Sequence, residues 1–288
     1  MLKSIIKLIK PKHHVKNLVV FIPLIFSLKF LVLKSVIMSI AAFISFCFIA
    51  SAIYVFNDIL DVEKDRLHPI KKTRPIASGE ISVKFAWYLF IILTIFSILS
   101  SIAVNKYVCF SIIAYLLLNI WYSLQLKFMP IIDVVCIAFG FIFRVLAGCA
   151  AILSVPSPLV ILLTFFTSMF FTFSKRKLEY ALIKDSSNCR KSIAEYTEPL
   201  LNHYVSINAI LSIAFYFTYM LDPKTIEKAQ TEFLYITVIP FAIIIFRLLF
   251  KIYTCSNNDD PAEFMFKDKT IIYLCFIYLI TLFAVLIF

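Results

Sequence analysis

Nine stretches of this chain are built almost wholly from apolar residues, each close to the ~20 residues a helix needs to cross the ~30 Å hydrocarbon layer of a bilayer. They fall at about 17–33, 35–56, 83–104, 107–124, 131–153, 157–173, 201–221, 233–250 and 270–288. No water reaches the bilayer core to satisfy exposed backbone groups, so a segment crossing it is a helix or a strand of a closed barrel. These runs lack the two-residue alternation of a barrel strand, which leaves helices. The sequence therefore predicts an all-α, polytopic membrane protein of about nine transmembrane helices. Of the 288 residues 62% are hydrophobic, a surface that no soluble domain could keep in solution. The whole of 1–288 reads as one integral membrane domain.

Residues 1–16 differ from the rest. Lys3, Lys7, Lys10, Lys12 and Lys16 alternate with Leu2, Ile5, Ile6, Leu8 and Ile9, the pattern of an amphipathic segment lying on a membrane surface. No small-residue cleavage site follows, so a retained first helix is expected rather than a signal peptide. Placing this basic end in the cytoplasm puts the loops after runs two, four, six and eight there too. Those loops carry most of the Lys and Arg, and the opposite side only Lys29, Lys34, Lys106, Lys224 and Lys228. The positive-inside rule then predicts an inner (cytoplasmic) membrane protein with a cytoplasmic N-terminus. The net charge of +11 belongs to these loops, so it speaks for membrane topology and an anionic substrate rather than for nucleic acid. Of the carboxylates only Asp222, Glu227 and Glu232 fall outside, so one face carries both signs of charge. The seven Cys are scattered without a Cys-x-x-Cys and read as small buried hydrophobes.

The chemistry concentrates between Asn57 and Gly79. If the preceding apolar helix runs on, Asp58, Asp61 and Asp65 stack on one face and repel one another unless a cation lies between them. Oxygen donors without His or Cys suit a hard ion, Mg²⁺, and Mg²⁺ held by few carboxylates usually also holds a phosphorylated substrate. Arg66, Lys71, Lys72 and Arg74 follow and suit the remaining phosphate charge. The plainer alternative is a solvated loop between two membrane helices. Asp133, at the start of run five, is either a further acid for the ion or a helix N-terminal charge. Arg144, about eleven residues into that run, is expected to face a polar cavity and an anionic or acidic partner, because a lipid-facing guanidinium is costly. Gly140 and Gly148 flank it on one helix face, where a neighbouring segment can come close. Lys16-Asn17 at run one and Lys175-Arg176 at the end of run six are either topology anchors or phosphate contacts. The polar stretch Asn258–Glu263 reads as a solvated loop before the last run, with a lid as the alternative.

Asn57-Asp58-x-x-Asp61-x-x-x-Asp65 resembles the first motif of the UbiA superfamily of intramembrane prenyltransferases. Within it the surrounding words are similar to the branch of decaprenyl-phosphate phosphoribosyltransferases: Val15-Lys16-Asn17, Arg66-Leu67-His68-Pro69, Arg74-Pro75-Ile76-Ala77-Ser78-Gly79, Tyr122 with Leu126-Lys127, Arg144 with Ala147-Gly148, and Lys175-Arg176 with Glu179. His13-His14 stand where that branch often has Gln-Trp, and Ser174 where it has Gly. The resemblance implies a UbiA-type bundle with a central cavity open to the cytoplasmic side, and transfer of the 5-phosphoribosyl group of phosphoribosyl diphosphate (PRPP) to a polyprenyl phosphate. It implies Mg²⁺ on Asp58, Asp61 and Asp65, and counts Arg144 with them among the catalytic residues. Lys16, Asn17, Asn57, Arg66, Lys72, Arg74, Tyr122, Lys127, Asp133, Lys175 and Arg176 become substrate contacts, and a homo-oligomer is compatible with it. Aromatic prenyltransferases of the superfamily carry a second Asp-x-x-x-Asp, whereas Asp133 is followed four residues later by Ile137. Prenyl transfer to an aromatic acceptor is thus the alternative, and a lipid-phosphate transporter the alternative of another class.

Overall fold

A computed structural model describes residues 1–183, 195–254 and 261–287. Asn258, Asp259 and Asp260 of the expected polar loop lie outside the described residues, as does the side chain of Glu263. Among the described residues every regular element is helical, and eight helical segments are long and apolar enough to cross a membrane.

The chain forms two compact units, Met1–Gln125 with Phe143–Val155 and Leu126–Ile142 with Pro156–Phe288. The first holds α1 (Leu2–Ile9), α2 (Ile22–Phe26), α3 (Leu33–Leu60), α4 (Val62–Leu67), α5 (Val83–Val104) and α6 (Lys106–Leu124). Next comes α7 (Ile132–Ala151), whose first half is counted in the second unit and whose second half is counted in the first. The second unit continues with α8 (Pro158–Ile183), α9 (Glu198–Met220), α10 (Pro223–Ala229), α11 (Val238–Thr254), α12 (Pro261–Lys267) and α13 (Lys269–Ile287).

In the first unit α3 packs along α5 through small side chains. Ser97 Oγ donates to the Ser45 carbonyl at 2.7 Å, and Ser45 and Ser100 share a hydroxyl contact of 2.8 Å. Small residues let two helices approach closely where lipid offers no hydrophobic drive. Asn105 separates α5 from α6: its side chain accepts from the amides of Tyr107 and Val108 as an N-cap, and its Nδ2 donates to the Ala150 carbonyl at 2.9 Å. Phe46, Ile49, Val108, Ile112 and Ala147 form the buried centre. In the second unit α8 packs along α9, and Phe170, Phe173, Leu201, Val205, Ile245 and Leu248 form the core.

The first expected run departs from an α-helix. Pro11–Phe21 is an eleven-residue 3₁₀ helix, followed by α2 and a short 3₁₀ turn at Lys29–Leu31. Contacts with α3 explain it. Lys10 meets Asp58, His14 meets Ser51, Asn17 meets Cys47 and Phe21 meets Phe43, so the segment runs antiparallel to α3. From Asp58 to Phe43 α3 covers ~22 Å at 1.5 Å per residue. Eleven residues match ~22 Å only at the 3₁₀ rise of ~2.0 Å. An α-helix of that length would cover ~16 Å and lose the outer pairs. The first expected run is thus not one membrane helix but the end of this leg, α2 and the short turn. Gly148 on α7 lets the leg pass: a Cβ there would lie 2.1 Å from the Val20 carbonyl oxygen.

Candidate functional site

The acidic stretch does not continue α3 unbroken. The helix ends at Leu60, Asp61 occupies the joint at φ −94° and ψ 6°, and α4 begins at Val62. Asp58 and Asp65 are buried, while Asp61 at the joint is only partly covered. Arg74 joins two of them: its Nη1 donates to Asp58 Oδ1 at 3.0 Å and to Asp65 Oδ2 at 2.7 Å.

Local structure holds Arg74 in place. The backbone turns back through Ser78 N to Arg74 O, Gly79 N to Ile76 O and Ile81 N to Pro75 O. Gly79 takes φ +82°, which only glycine adopts without strain. Ile76 and Ile81 are buried beside Leu8, Val55 and Ile59, so the loop is anchored by its apolar residues. His68 Nδ1 accepts from the amides of Ile70 and Lys71, closing the preceding turn.

A fourth charged residue belongs to this cluster. Lys10 Nζ lies 2.8 Å from Asp58 Oδ1 and 5.4 Å above the Tyr54 ring, which also meets the His13 ring at a tilt. Sequence reasoning passed over Lys10 because it is one of five lysines in an amphipathic segment. Two carboxylates thus face two cations, yet Asp58 Oδ2 is buried and has no hydrogen-bond partner. Ser51 Oγ donates to the Ile9 carbonyl, so its contact with His14 at 2.9 Å is donated by the imidazole Nε2–H.

The other expected residues divide sharply. Asn57 Oδ1 accepts a hydrogen bond from Ser123, which ties the motif to α6 beside the half-buried Tyr122. Arg66 pairs with Glu63 on the surface, and Lys72 is exposed. Arg144 is not with the acids. Its Nε donates to Asn17 Oδ1 at 2.8 Å, its Nη2 to Tyr115 OH at 3.1 Å, and it lies 4.7 Å above the Tyr115 ring. Asn17 sits at the level of Cys47, eleven residues and ~16 Å along α3 from Asp58. From the sequence Arg144 is expected to face a polar cavity and an anionic or acidic partner; the contacts here are neutral, an amide on the stretched leg and a phenol on α6. Lys16 precedes Asn17 on the leg and is half-buried.

In the second unit α8 runs on to Ile183, ten residues past the expected end at 173, so Lys175-Arg176-Lys177 is helix and not loop. Arg176 and Asp133 are both buried and pair with each other. Nε and Nη2 donate to Asp133 Oδ2 at 2.9 and 2.8 Å, and Nη1 donates to Glu179 at 2.7 Å. The Arg176 guanidinium is thus turned toward two carboxylates of its own unit. Tyr196 lies beside the pair and accepts from the Ile131 amide at 2.6 Å; burial pushes its pKa up to about 12, so it stays neutral. Lys127 and Lys175 are half-buried.

Among the described residues no three His, Cys, Asp or Glu side chains stand close enough to share a metal ion. Of the three expected acids, Asp58 and Asp65 are joined through Arg74. Oxygen-only donors and the unsatisfied Asp58 Oδ2 fit a hard divalent cation, and Mg²⁺ commonly takes one or two carboxylates and leaves its other positions to water and phosphate.

The UbiA prenyltransferase family matches residues 20–280. Decaprenyl-phosphate phosphoribosyltransferase from Corynebacterium glutamicum is 33% identical over 93% of this chain and 82% of its own length. The protein of that name from Mycolicibacterium smegmatis is 30% identical over 80% of this chain and 74% of its own. Among solved structures, a UbiA homolog from Archaeoglobus fulgidus bound to DMAPP and Mg²⁺ superposes with a TM-score of 0.73, covering 98% of this chain and 99% of that one at 16% identity.

Proposed function

The chain belongs to the UbiA prenyltransferase family, and on that footing we propose that it transfers the 5-phosphoribosyl group of PRPP to a polyprenyl phosphate and releases diphosphate. The observation that carries this reading is the 33% identity, over nearly the whole chain, to an enzyme named for that acceptor and that transfer. Residues 1–288 serve as one transferase domain, with the N-terminus and the acidic end on the cytoplasmic side. The Lys and Arg distribution supports that orientation. So does the stretched leg, which returns Lys10 to the same end of α3 as Asp58.

Asp58 and Asp65 would hold Mg²⁺, which when bound supplies positive charge to the departing diphosphate. Arg74 is built to act with them. It spends only Nη1 on the two acids and leaves Nε and Nη2, neither with a protein hydrogen bond, to form a fork for a phosphate. The reaction breaks the bond from ribose C1 to the diphosphate oxygen and forms one from C1 to an oxygen of the lipid phosphate. That oxygen is already anionic near neutral pH, so no strong base is required and positioning dominates. Arg66 and Lys72 are exposed and suit the 5-phosphate. Arg144 acts at a distance, by fixing the leg that carries Lys10. Apolar helix faces accommodate the isoprenoid, at ~0.8 kcal/mol per buried CH₂.

Membranes containing the protein, given labelled PRPP and a polyprenyl phosphate, are expected to yield a labelled lipid, and the Asp58→Asn variant to lose it. Labelling only from a prenyl diphosphate and an aromatic acid would overturn the phosphoribosyl reading. Exchange of intact lipid phosphate with no bond broken would mark a transporter instead.

A further inference from the structure

We propose that Lys10 is an exchangeable counter-ion of the acidic end: it occupies Asp58 before loading, yields that carboxylate to the divalent cation, and turns to a phosphate oxygen of the donor. This rests on the reading of Asp58 and Asp65 as a cation and diphosphate site. Three observations carry it.

The first is charge balance. Asp58 and Asp65 face Lys10 and Arg74, two negative charges against two positive, so a divalent cation entering this set meets no net attraction. One resident cation has to leave as the ion and its anionic donor arrive. Arg74 bridges both acids and is held by an anchored loop, whereas Lys10 makes a single ion pair to Asp58.

The second is the satisfaction of Asp58. Lys10 and Arg74 both crowd Oδ1, and Oδ2 is left buried and unbonded. A buried acceptor without a partner carries a desolvation penalty of about 1–3 kcal/mol, so this arrangement suits a resting state and a cation on Oδ2 relieves it.

The third is the backbone. Lys10 stands between α1 and the 3₁₀ leg at φ 51° and ψ 59°, a left-handed conformation that a side chain bearing a Cβ rarely takes. Its Nζ sits over the Tyr54 ring and the side chain as a whole is 21% exposed, so the ammonium is held above an aromatic face. A strained joint carrying a flexible stem can swing its charge from a carboxylate to a phosphate with α1 left in place.

The test compares the full-length protein with Lys10→Met and Lys10→Arg in detergent, using Mn²⁺ as the probe and reading free ion by electron paramagnetic resonance without donor. An opposite charge beside a carboxylate shifts its proton equilibrium by about 10- to 1000-fold, and competition with a cation follows the same electrostatics. Lys10→Met is therefore expected to bind Mn²⁺ about tenfold or more tightly than the parent, and to show a raised KM for PRPP. Lys10→Arg should behave like the parent. Equal or weaker Mn²⁺ binding by Lys10→Met overturns the proposal while leaving the acidic site intact. Absence of Mn²⁺ binding by every form, with or without PRPP, overturns the site reading and this one together. Should Lys10→Met not extract folded, hydrogen exchange of the parent decides: faster exchange across residues 2–14 on adding Mn²⁺ with PRPP supports release of Lys10, and unchanged exchange overturns it.

Discussion

Two clusters of acids and bases, one in each compact unit, use the same residue types to opposite ends. In the second unit Arg176 and Asp133 are 2% and 0% exposed, and Arg176 spends all three nitrogens of its guanidinium on two carboxylates. In the first unit Asp58 is as deeply buried, but its cations Lys10 and Arg74 are 21% and 31% exposed; among the described residues each acid keeps one buried oxygen without a hydrogen bond, Asp58 Oδ2 and Asp133 Oδ1, so the exposure of the bases is what separates the two clusters. Burial of both partners makes a pair costly to break and useless for exchange, whereas burial of the acid alone leaves the bases able to move. A buried acid is thus a poor marker of a site unless the state of its partner is known.

Breaking the locked pair is expected to have the largest effect. Arg176→Met strands the Asp133 carboxylate in a low-dielectric interior and should cost about 3–5 kcal/mol of stability. Thermal unfolding in detergent reads this, and adding Asp133→Leu should recover most of the loss. The reverse pattern is expected of Arg74→Met. Because Arg74 is partly exposed and Lys10 still faces Asp58, its removal should cost less stability than that of Arg176, although it leaves Asp65 buried without its base. It should nevertheless lower kcat about 10²-fold or more, the usual effect of deleting one donor to a developing anion. If Arg74→Met unfolded the protein as readily as Arg176→Met, the distinction between the two clusters would be lost.

Sequence patterns reached some of this and not the rest. The membrane helices were legible because lipid forces each crossing segment to be long and apolar, and eight of the nine expected runs are such helices. The 3₁₀ form of Pro11–Phe21 was not, because its rise is set by four pairings with α3 rather than by its own residues. The break at Asp61 carries no Gly or Pro to announce it. The deep polar environment of Arg144 followed from the cost of a charge in lipid, but the amide and phenol that supply it come from residues 127 and 29 positions away. The Arg176–Asp133 pair spans 43 residues and no local pattern predicts it. One signal was available: a lone acid opening one apolar run and a lone arginine closing another both require partners, and each could serve the other.

A third carboxylate separates the number of cations around an acid from its unmet bonding. Asp268, between α12 and α13, also faces two bases, with Arg247 Nη2 at 3.1 Å and Lys251 Nζ at 3.0 Å from Oδ2. Unlike Asp58 it is saturated, since Oδ1 accepts from the amides of Thr270 and Ile271. Burial by itself would raise its pKa, but the Lys251 hydrogen bond, the Ile271 amide and the charges of Arg247 and Lys251 outweigh that and bring it down to about 2. A folded-state pKa below that of the unfolded chain gives stability that is fully present above about pH 4 and is lost as pH falls toward 2. Its bases are about one-third exposed, so the gain is expected to stay at or below ~1 kcal/mol. Unfolding of the parent and of Asp268→Asn, followed from pH 6 to pH 2, should show a small gap that closes across that window. The same substitution should leave Mn²⁺ binding unchanged, because a carboxylate whose two oxygens are both bonded offers a cation nothing that its neighbours do not already supply. A loss of Mn²⁺ binding in Asp268→Asn would show that two bases around an acid suffice to recruit the ion, and the unbonded oxygen of Asp58 would then have no special role.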